Sequence, residues 1–303
     1  MGIVVIGAAF VDIKGFPLNN YIPDGRNVGR IEYIHGGVAR NVVEDIANAE
    51  LRPTYLGIVD DTPMGDAVVR KLRNHKVNCD YVLTIPDGMG TWLAVFDNNG
   101  DVAGSISKRP NMMPIVDLLE EKGDEIFAAA DAVVLEVDLD KALVKKVLEL
   151  AEKHDKKRFA LVSNISLAIE RRDLLQRFTC FICNQQEAGM FFADDYHGKT
   201  REEMVEIIGE KVLQAKLPAM VVTMGGEGAV YADQRPEGPL PGEEGAREGY
   251  HRRRRRLLRG RVYRSYVRQD PAGGDRNRFD AGGVCHHLVG ECLPALPAQG
   301  AGP

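Results

Sequence analysis

No disulfide framework is written into this chain. Its five cysteines are an odd number without regular spacing, which argues against a stapled secreted scaffold and for a reducing, cytoplasmic setting. Cys180 and Cys183 lie in the apolar run Phe178-Thr179-Cys180-Phe181-Ile182-Cys183, which reads as a buried strand. Residues three apart on a strand face opposite ways, so the two thiols do not act together. No apolar run reaches the length of a membrane helix. The opening Met1-Gly2-Ile3-Val4-Val5-Ile6-Gly7 has neither basic leader nor cleavage site, and Ile6 stands where a myristoylation signal needs Ser or Thr. It reads as a first strand. Net basic charge is missing too: 39 Lys and Arg against 44 Asp and Glu offer no general attraction for nucleic acid.

A second kind of absence divides the chain. From Asp233 to Pro303 there is no Lys, Ile, Met or Thr, while 13 arginines appear. Up to Ala232 the chain carries 35 Asp and Glu against 26 Lys and Arg; beyond it, 9 against 13. Apolar periodicity stops at the same place. Two readings compete for residues 233–303. One is a disordered basic extension whose run Arg252–Arg256 is a nucleic-acid, heparin or targeting patch. The other is translation out of frame from GC-rich DNA.

What is present, up to Ala232, is ordinary for a globular protein: 303 residues, 44% hydrophobic and 27% charged overall, enough for one large α/β domain or two small ones. Apolar strands are expected at Thr54–Val59, 131–138, 158–164 and 178–183. They alternate with helices that include Val68, Val69 and Leu72 on one face, residues 141–152, and 166–175. That alternation predicts a mostly parallel sheet covered on both faces. Asp97-Asn98-Asn99-Gly100, between two alternating segments, is a strong hairpin signal. With residues 13–35 it predicts a small separate sheet, over about 13–35 and 90–107, placed to act as a lid.

Four short patterns carry chemistry. Gly36-Gly37-Val38-Ala39-Arg40-Asn41 follows a strand and opens a helix. Its glycines permit a tight turn and close ligand approach, and the Asn41 amide suits a polyhydroxylated ligand. Asp12 lies just past the first strand, where ligands of open α/β sheets sit. Asn184-Gln185-Gln186-Glu187 ends another strand and reads either as a capped helix start or as a holder of metal-bound water near phosphates. Thr223-Met224-Gly225-Gly226-Glu227-Gly228 joins two strands through a turn that is either a plain hairpin or a phosphate contact. It is not a Walker A loop, nor a G-x-G-x-x-G that opens a helix.

In this order the four patterns resemble the ribokinase/PfkB family of carbohydrate and nucleoside kinases, over nearly all of residues 1–232. The segment Ser107–Met112 and the hairpin look most like the pseudouridine-kinase branch. The resemblance implies a ribokinase-like three-layer α/β sandwich with a mostly parallel central sheet and a β lid. It implies a substrate site at Asp12, Gly36, Gly37, Asn41 and Asn111, and a nucleotide site at Asn184, Thr223, Gly225, Gly226 and Gly228. It further implies magnesium near Glu187, with ATP, Mg²⁺ and a monovalent cation as cofactors, a sugar or nucleoside as ligand, and a homodimer formed through the lid.

The family's most diagnostic motif, a Gly-Ala-Gly-Asp turn that supplies the anion hole and the base, is missing. Gly273-Gly274-Asp275 comes nearest and lacks the strand before it and the helix after it. No catalytic base is therefore identified. Shifting each codon of the arginine run by one base makes every codon within it begin with G and end with C. From Glu248 onward, compatible codons then spell Lys-Asp-Ile-Thr-Gly-Ala-Gly-Asp-Ala-Phe-Phe-Ala-Gly-Val-Ser-Ile-Gly-Leu, with the Asp codon straddling those of Arg255 and Arg256. The expected organisation is a kinase core over 1–232 and an aberrant tail over 233–303, with catalysis impaired. The alternative is a ligand-binding module with a basic nucleic-acid-binding tail.

Overall fold

The computed structural model describes residues 2–234 and the backbone of Val262–Tyr263. The chain packs as two compact units, Met1–Phe181 and one that begins at Ile182.

The first unit opens with β1 (Gly2–Ile6), buried from Ile3 to Ile6. A parallel strand covered on both faces requires such a continuous apolar run. The chain then leaves the main sheet. β2 (Phe10–Pro17) and β3 (Gly29–Gly36) pair antiparallel, from Phe10↔Gly36 to Pro17↔Gly29. α1 (Val38–Asn48) brings it back, burying Ala39, Val42, Val43 and Ile46 at the three- and four-residue spacing of one helix face. β4 (Arg52–Leu56) runs parallel to β1 in the register Gly2↔Arg52 to Ile6↔Leu56. The strand expected over Thr54–Val59 is two pieces, because β5 (Ile58–Val59) starts afresh after Gly57. A side chain at Gly57 would strike the Tyr55 ring.

α2 (Pro63–Asn74) is capped by the Thr62 hydroxyl and buries Val68 and Leu72, with Val69 at the margin. β6 (Leu83–Thr84) pairs with β5. β7 (Gly90–Phe96) and β8 (Val102–Lys108) form the expected hairpin, and with β2 and β3 they complete a separate four-stranded sheet in the order β3-β2-β7-β8. Its tip closes through the Asp97 amide on the Asp101 carbonyl at 2.9 Å, with Gly100 at φ 85°.

The main sheet resumes after α3 (Pro114–Ala129) with β9 (Ala132–Glu136), α4 (Lys141–Lys153) and β10 (Lys157–Leu161). β9 lies parallel between β1 and β10. α3 and α4 approach so closely that a Cβ on Gly123 would sit 2.6 Å from Leu150 Cδ1. The single helix expected over 166–175 is two short ones, α5 (Ile165–Ile169) and α6 (Arg172–Leu175). β11 (Cys180–Asn184) joins β10 in parallel at Phe159↔Cys180 and Ala160↔Phe181. The fold class is thus α/β with a mostly parallel sheet and a small extra sheet, as the sequence pattern predicts.

The second unit holds the end of β11, α7 (Gln185–Phe192), α8 (Arg201–Ala215), β12 (Ala219–Thr223), a 3-10 turn Gly225–Glu227 and β13 (Ala229–Asp233). β12 and β13 pair antiparallel from Ala219↔Asp233 to Thr223↔Ala229. β14 (Val262–Tyr263) pairs antiparallel with β13. α3 and α8 go beyond the elements expected from the sequence. The compositional break after Ala232 falls at the end of β13. Residues 235–261 and 264–303, with the arginine run and the reconstructed motif, lie outside the described residues.

Candidate functional site

The expected site residues divide between the two units: Asp12, Gly36, Gly37, Asn41 and Asn111 lie in the first, Asn184, Glu187, Thr223, Gly225, Gly226 and Gly228 in the second. In the first, Asp12 is not on a turn beyond β1. It is the third residue of β2, paired with Ile34 of β3 and Trp92 of β7. Its carboxylate lies directly on Gly36: a Cβ there would stand 2.3 Å from Asp12 Oδ1 and 2.8 Å from Oδ2. Gly36 is therefore glycine because Asp12 occupies its side-chain space. Gly37 is glycine for a different reason. It adopts φ 98°, and a Cβ would fall 2.4 Å from the Ala8 carbonyl oxygen, so backbone crosses backbone. Burial raises the Asp12 pKa above its ordinary value, while Lys14 and Arg40 pull it back. An ionised carboxylate in this recess accepts hydrogen bonds only, which suits ligand hydroxyls.

Asn41 follows on α1, and its Oδ1 accepts from Arg40 Nη2. The NH₂ group is then what that amide has to offer a ligand. Arg40 is a buried hub, only 3% exposed. Its Nε donates to the Gly36 carbonyl at 3.1 Å, Nη2 to the His35 carbonyl at 3.1 Å, and Nη1 to Glu44 Oε2 at 2.5 Å. Burial pushes the Glu44 pKa up, but Lys71 and Arg40 outweigh it and leave the carboxyl below its usual range. Nothing in the spacing marks Arg40, since its importance comes from burial under its own turn.

Beneath the recess lies Glu136, the last residue of β9 and 2% exposed. Oε2 accepts from the Ala8 amide at 3.1 Å and Oε1 from the Ala39 amide at 2.7 Å. Its pKa is pushed up to about 8, by burial first and then by the charge of Asp138. Two residues on, the buried Asp138 accepts from the Ser163 amide at 3.0 Å, the Ser163 hydroxyl at 2.6 Å and Arg109 Nη2 at 3.0 Å. Arg109 Nη1 also donates to the Asp138 carbonyl at 2.9 Å. Asn111, expected in the substrate set, uses Oδ1 to accept from the Met113 amide at 3.0 Å, just before α3. The signal for Glu136 was available: an acid inside an otherwise apolar buried strand.

In the second unit, Asn184-x-x-Glu187 is a complete capping box on α7. Asn184 Oδ1 accepts from the Glu187 amide at 2.7 Å, and Glu187 Oε2 accepts from the Asn184 amide at 2.8 Å. Thr223 Oγ1 donates to the Cys183 carbonyl at 3.5 Å. The turn that follows has Gly225 at φ 55° and Gly228 at φ 94°, closed by the Met224 amide on the Gly228 carbonyl at 2.8 Å. A Cβ on Gly225 or Gly226 would meet nothing within 4 Å. Backbone strain explains Gly225; no packing explains Gly226. The turn presents open backbone. Among the described residues no group of three or more His, Cys, Asp or Glu side chains is disposed to hold a metal. Magnesium needs only one or two carboxylates and completes its shell with water and phosphate oxygens; the Glu187 carboxylate accepts from the Asn184 amide through Oε2. No helix among the described residues is long and apolar enough to cross a membrane.

Comparison with known proteins bears on the family and the fold. The model of the pfkB family carbohydrate kinases matches residues 2–244. Guanosine-inosine kinase of Exiguobacterium acetylicum is 34% identical over 234 residues, covering 77% of this chain and 76% of that protein. Pseudouridine kinase of Escherichia coli is 23% identical, covering 76% and 72%. Ribokinase of Arabidopsis thaliana, solved with ribose and ATP, superposes with a TM-score of 0.64 at 17% identity, covering 77% of this chain and 74% of that one. That last likeness speaks for the fold alone. On the family match and the identity to a nucleoside kinase, the chain belongs to the pfkB family of carbohydrate kinases.

Proposed function

We propose that this chain is built to hold a sugar or nucleoside for ATP-dependent phosphorylation of a hydroxyl, and that as written it binds without efficient turnover. The observation that carries the reading is the Asp12 carboxylate seated on Gly36 beside the crossed turn at Gly37. A carboxylate held there accepts hydrogen bonds and so suits hydroxyl donors. Asp12, Gly36, Gly37 and Asn41 hold the substrate, with Asn111 at the start of α3 assigned to the same set. Guanosine and inosine are the first ligands to try, given the relative that is 34% identical. Asn184 and Glu187 would hold Mg²⁺, and Thr223, Gly225, Gly226 and Gly228 the nucleotide. ATP, Mg²⁺ and a monovalent cation complete the proposed cofactor set. The metal supplies charge neutralisation at the transferred phosphoryl group.

Residues 1–232 are the proposed kinase core, 13–35 and 90–107 its lid, and 233–303 an out-of-frame tail. Loss of a general base alone costs about 10²–10⁴-fold in rate. Losing the anion hole with it should leave little activity. The test is paired. The full chain should bind guanosine yet form no ADP above background, and a version with the frame restored from Asp233 should turn over. Ordinary kinase rates from the chain as written would refute the impairment. RNA binding that weakens with salt and is lost on deleting 233–303 would favour the binding-module reading instead.

A homodimer through the small sheet belongs to the same reading. The row Tyr33–Ile13–Leu93–Ile106 crosses the sheet face opposite Asp12. Within it Tyr33 is 61% exposed and Ile106 70%, with Ile31 beside them at 65%. An apolar face of this kind marks an association surface. Sedimentation should show a dimer that Tyr33→Asp with Ile106→Asp converts to monomer; a monomeric parent would remove the proposal.

A further inference from the structure

The sheet face that carries Asp12 also carries an aromatic row that hydroxyl recognition does not use. Strand register sets Trp92 of β7 beside Asp12 of β2, and residues paired across neighbouring strands share a face. Alternation puts Lys14 and Phe16 on that face of β2, and Ala94 and Phe96 on that face of β7. The ring contacts agree. Phe16 and Phe96 stack at 4.8 Å with 14° between their planes, and Trp92 meets Phe96 edge-on at 6.3 Å and 88°. Trp92 is half-buried, not sealed in a core. The Lys14 ammonium lies 5.9 Å from its ring centre, at the outer limit of a cation–π contact.

A free ribose has hydroxyls for Asp12 but only C–H edges, and no π-face, to lay on an indole. Neighbouring strands lie about 4.8 Å apart. A ribose whose hydroxyls meet Asp12 therefore brings the group on its anomeric carbon within reach of Trp92. A nucleobase there would lay its π-face on the indole, which is braced by Phe96, itself stacked on Phe16. We infer that Trp92 is the stacking platform for the base of a nucleoside, and that this makes nucleosides, not free sugars, the ligand class of the site. The inference rests on the proposed function, since it presumes that Asp12 receives ligand hydroxyls. Trp92 is here a specificity-determining residue, acting on the part of the ligand that does not react.

Trp92 is the sole tryptophan of the chain, so its emission reports the contact without a label. Titrating the full chain with guanosine, inosine and ribose should give saturable quenching with both nucleosides and none with ribose. By calorimetry, Trp92→Leu should weaken guanosine binding by about 5- to 150-fold, the worth of one stacked base, while Trp92→Phe keeps most of the affinity. Asp12→Asn should weaken guanosine whether or not the indole is present. Far-ultraviolet circular dichroism and melting of each variant separate lost binding from lost fold. Guanosine binding that leaves Trp92 emission unmoved, or an affinity within twofold in a folded Trp92→Leu, overturns the platform and leaves the kinase reading intact. Ribose binding as tightly as guanosine overturns it as well. If neither ligand binds, the platform and the proposed function fall together.

Discussion

Gly36 and Gly37 are neighbours with the same lack of a side chain, yet alanine at each should fail differently. At Gly36 the new methyl would sit 2.3 Å from Asp12 Oδ1, against the 3.4 Å of an ordinary contact. The obstacle is the end of a side chain, so the carboxylate gives way by about 1 Å and the backbone stays. A misplacement of about that size costs on the order of 10²-fold where geometry matters. One hydrogen bond to a charged group, worth about 1.5–3 kcal/mol, gives a similar figure. Gly36→Ala should therefore weaken guanosine binding about 10- to 100-fold and shift the melting midpoint by only about 2–3 °C. At Gly37 the methyl would meet the Ala8 carbonyl at 2.4 Å with φ at 98°. Neither can move alone. Strain of about 1–3 kcal/mol adds to the clash, and at about 2–4 °C per kcal/mol for a chain this size the midpoint should fall by roughly 4–12 °C. Calorimetric titration and differential scanning calorimetry on the two variants read both quantities. A Gly36→Ala protein that binds within threefold of its parent would refute Asp12 as the hydroxyl acceptor. An unfolded Gly36→Ala beside a stable Gly37→Ala would refute the geometry itself.

Arg40→Met should destabilise the fold by roughly 2–4 kcal/mol, because it leaves two backbone carbonyls unsatisfied and Glu44 with Lys71, at 2.8 Å, as its close cationic partner. Arg40→Lys should not rescue it, lacking the planar fork; chemical denaturation measures both, and a loss below about 1 kcal/mol would contradict the hub. Glu136 has a folded pKa raised above its unfolded value. Its contribution is therefore fully present below about pH 4.5 and is lost as pH rises through about 8. Denaturation midpoints should decline over that window, and Glu136→Gln should flatten the decline. An unchanged slope in the variant would assign the pH dependence elsewhere.

The parallel sheet was legible because Ile3–Ile6 of β1 and Ala132–Leu135 of β9 are continuous apolar runs, the mark of strands covered on both sides. The hairpin tip was legible from turn chemistry. Asp12 was harder to place, since every residue of β2 is half-buried. With no contrast between its faces, period-two alternation vanishes and the strand reads as a loose segment. α3 and α8 carried usable start signals, Pro114 in the first turn and the Thr200/Glu203 capping box. Asn184-x-x-Glu187 shows the opposite limit: a helix cap and a metal-associated motif share one spelling, and coordinates establish the cap. Arg40 acts through burial and backbone partners, which residue types do not spell out, whereas Glu136 shows itself as an acid ending an apolar strand.

The bonds around Glu136 and Asp138 make the end of β9 the anchorage of the whole small sheet. The Ala8 amide, on the way into β2, and the Ala39 amide, on the way out of β3, are tied to one carboxylate. Arg109, just past β8, is tied to Asp138. The entry to β7 hangs on the same place, through the Gly90 amide on the Ala9 carbonyl at 2.9 Å. Three of the small sheet's chain crossings thus converge on Glu136 and Asp138 and the fourth on Ala9 nearby, so one short stretch fixes where the sheet stands on β1 and β9. Asp12 is carried on that sheet, so the place of its carboxylate is set by bonds made at the end of β9.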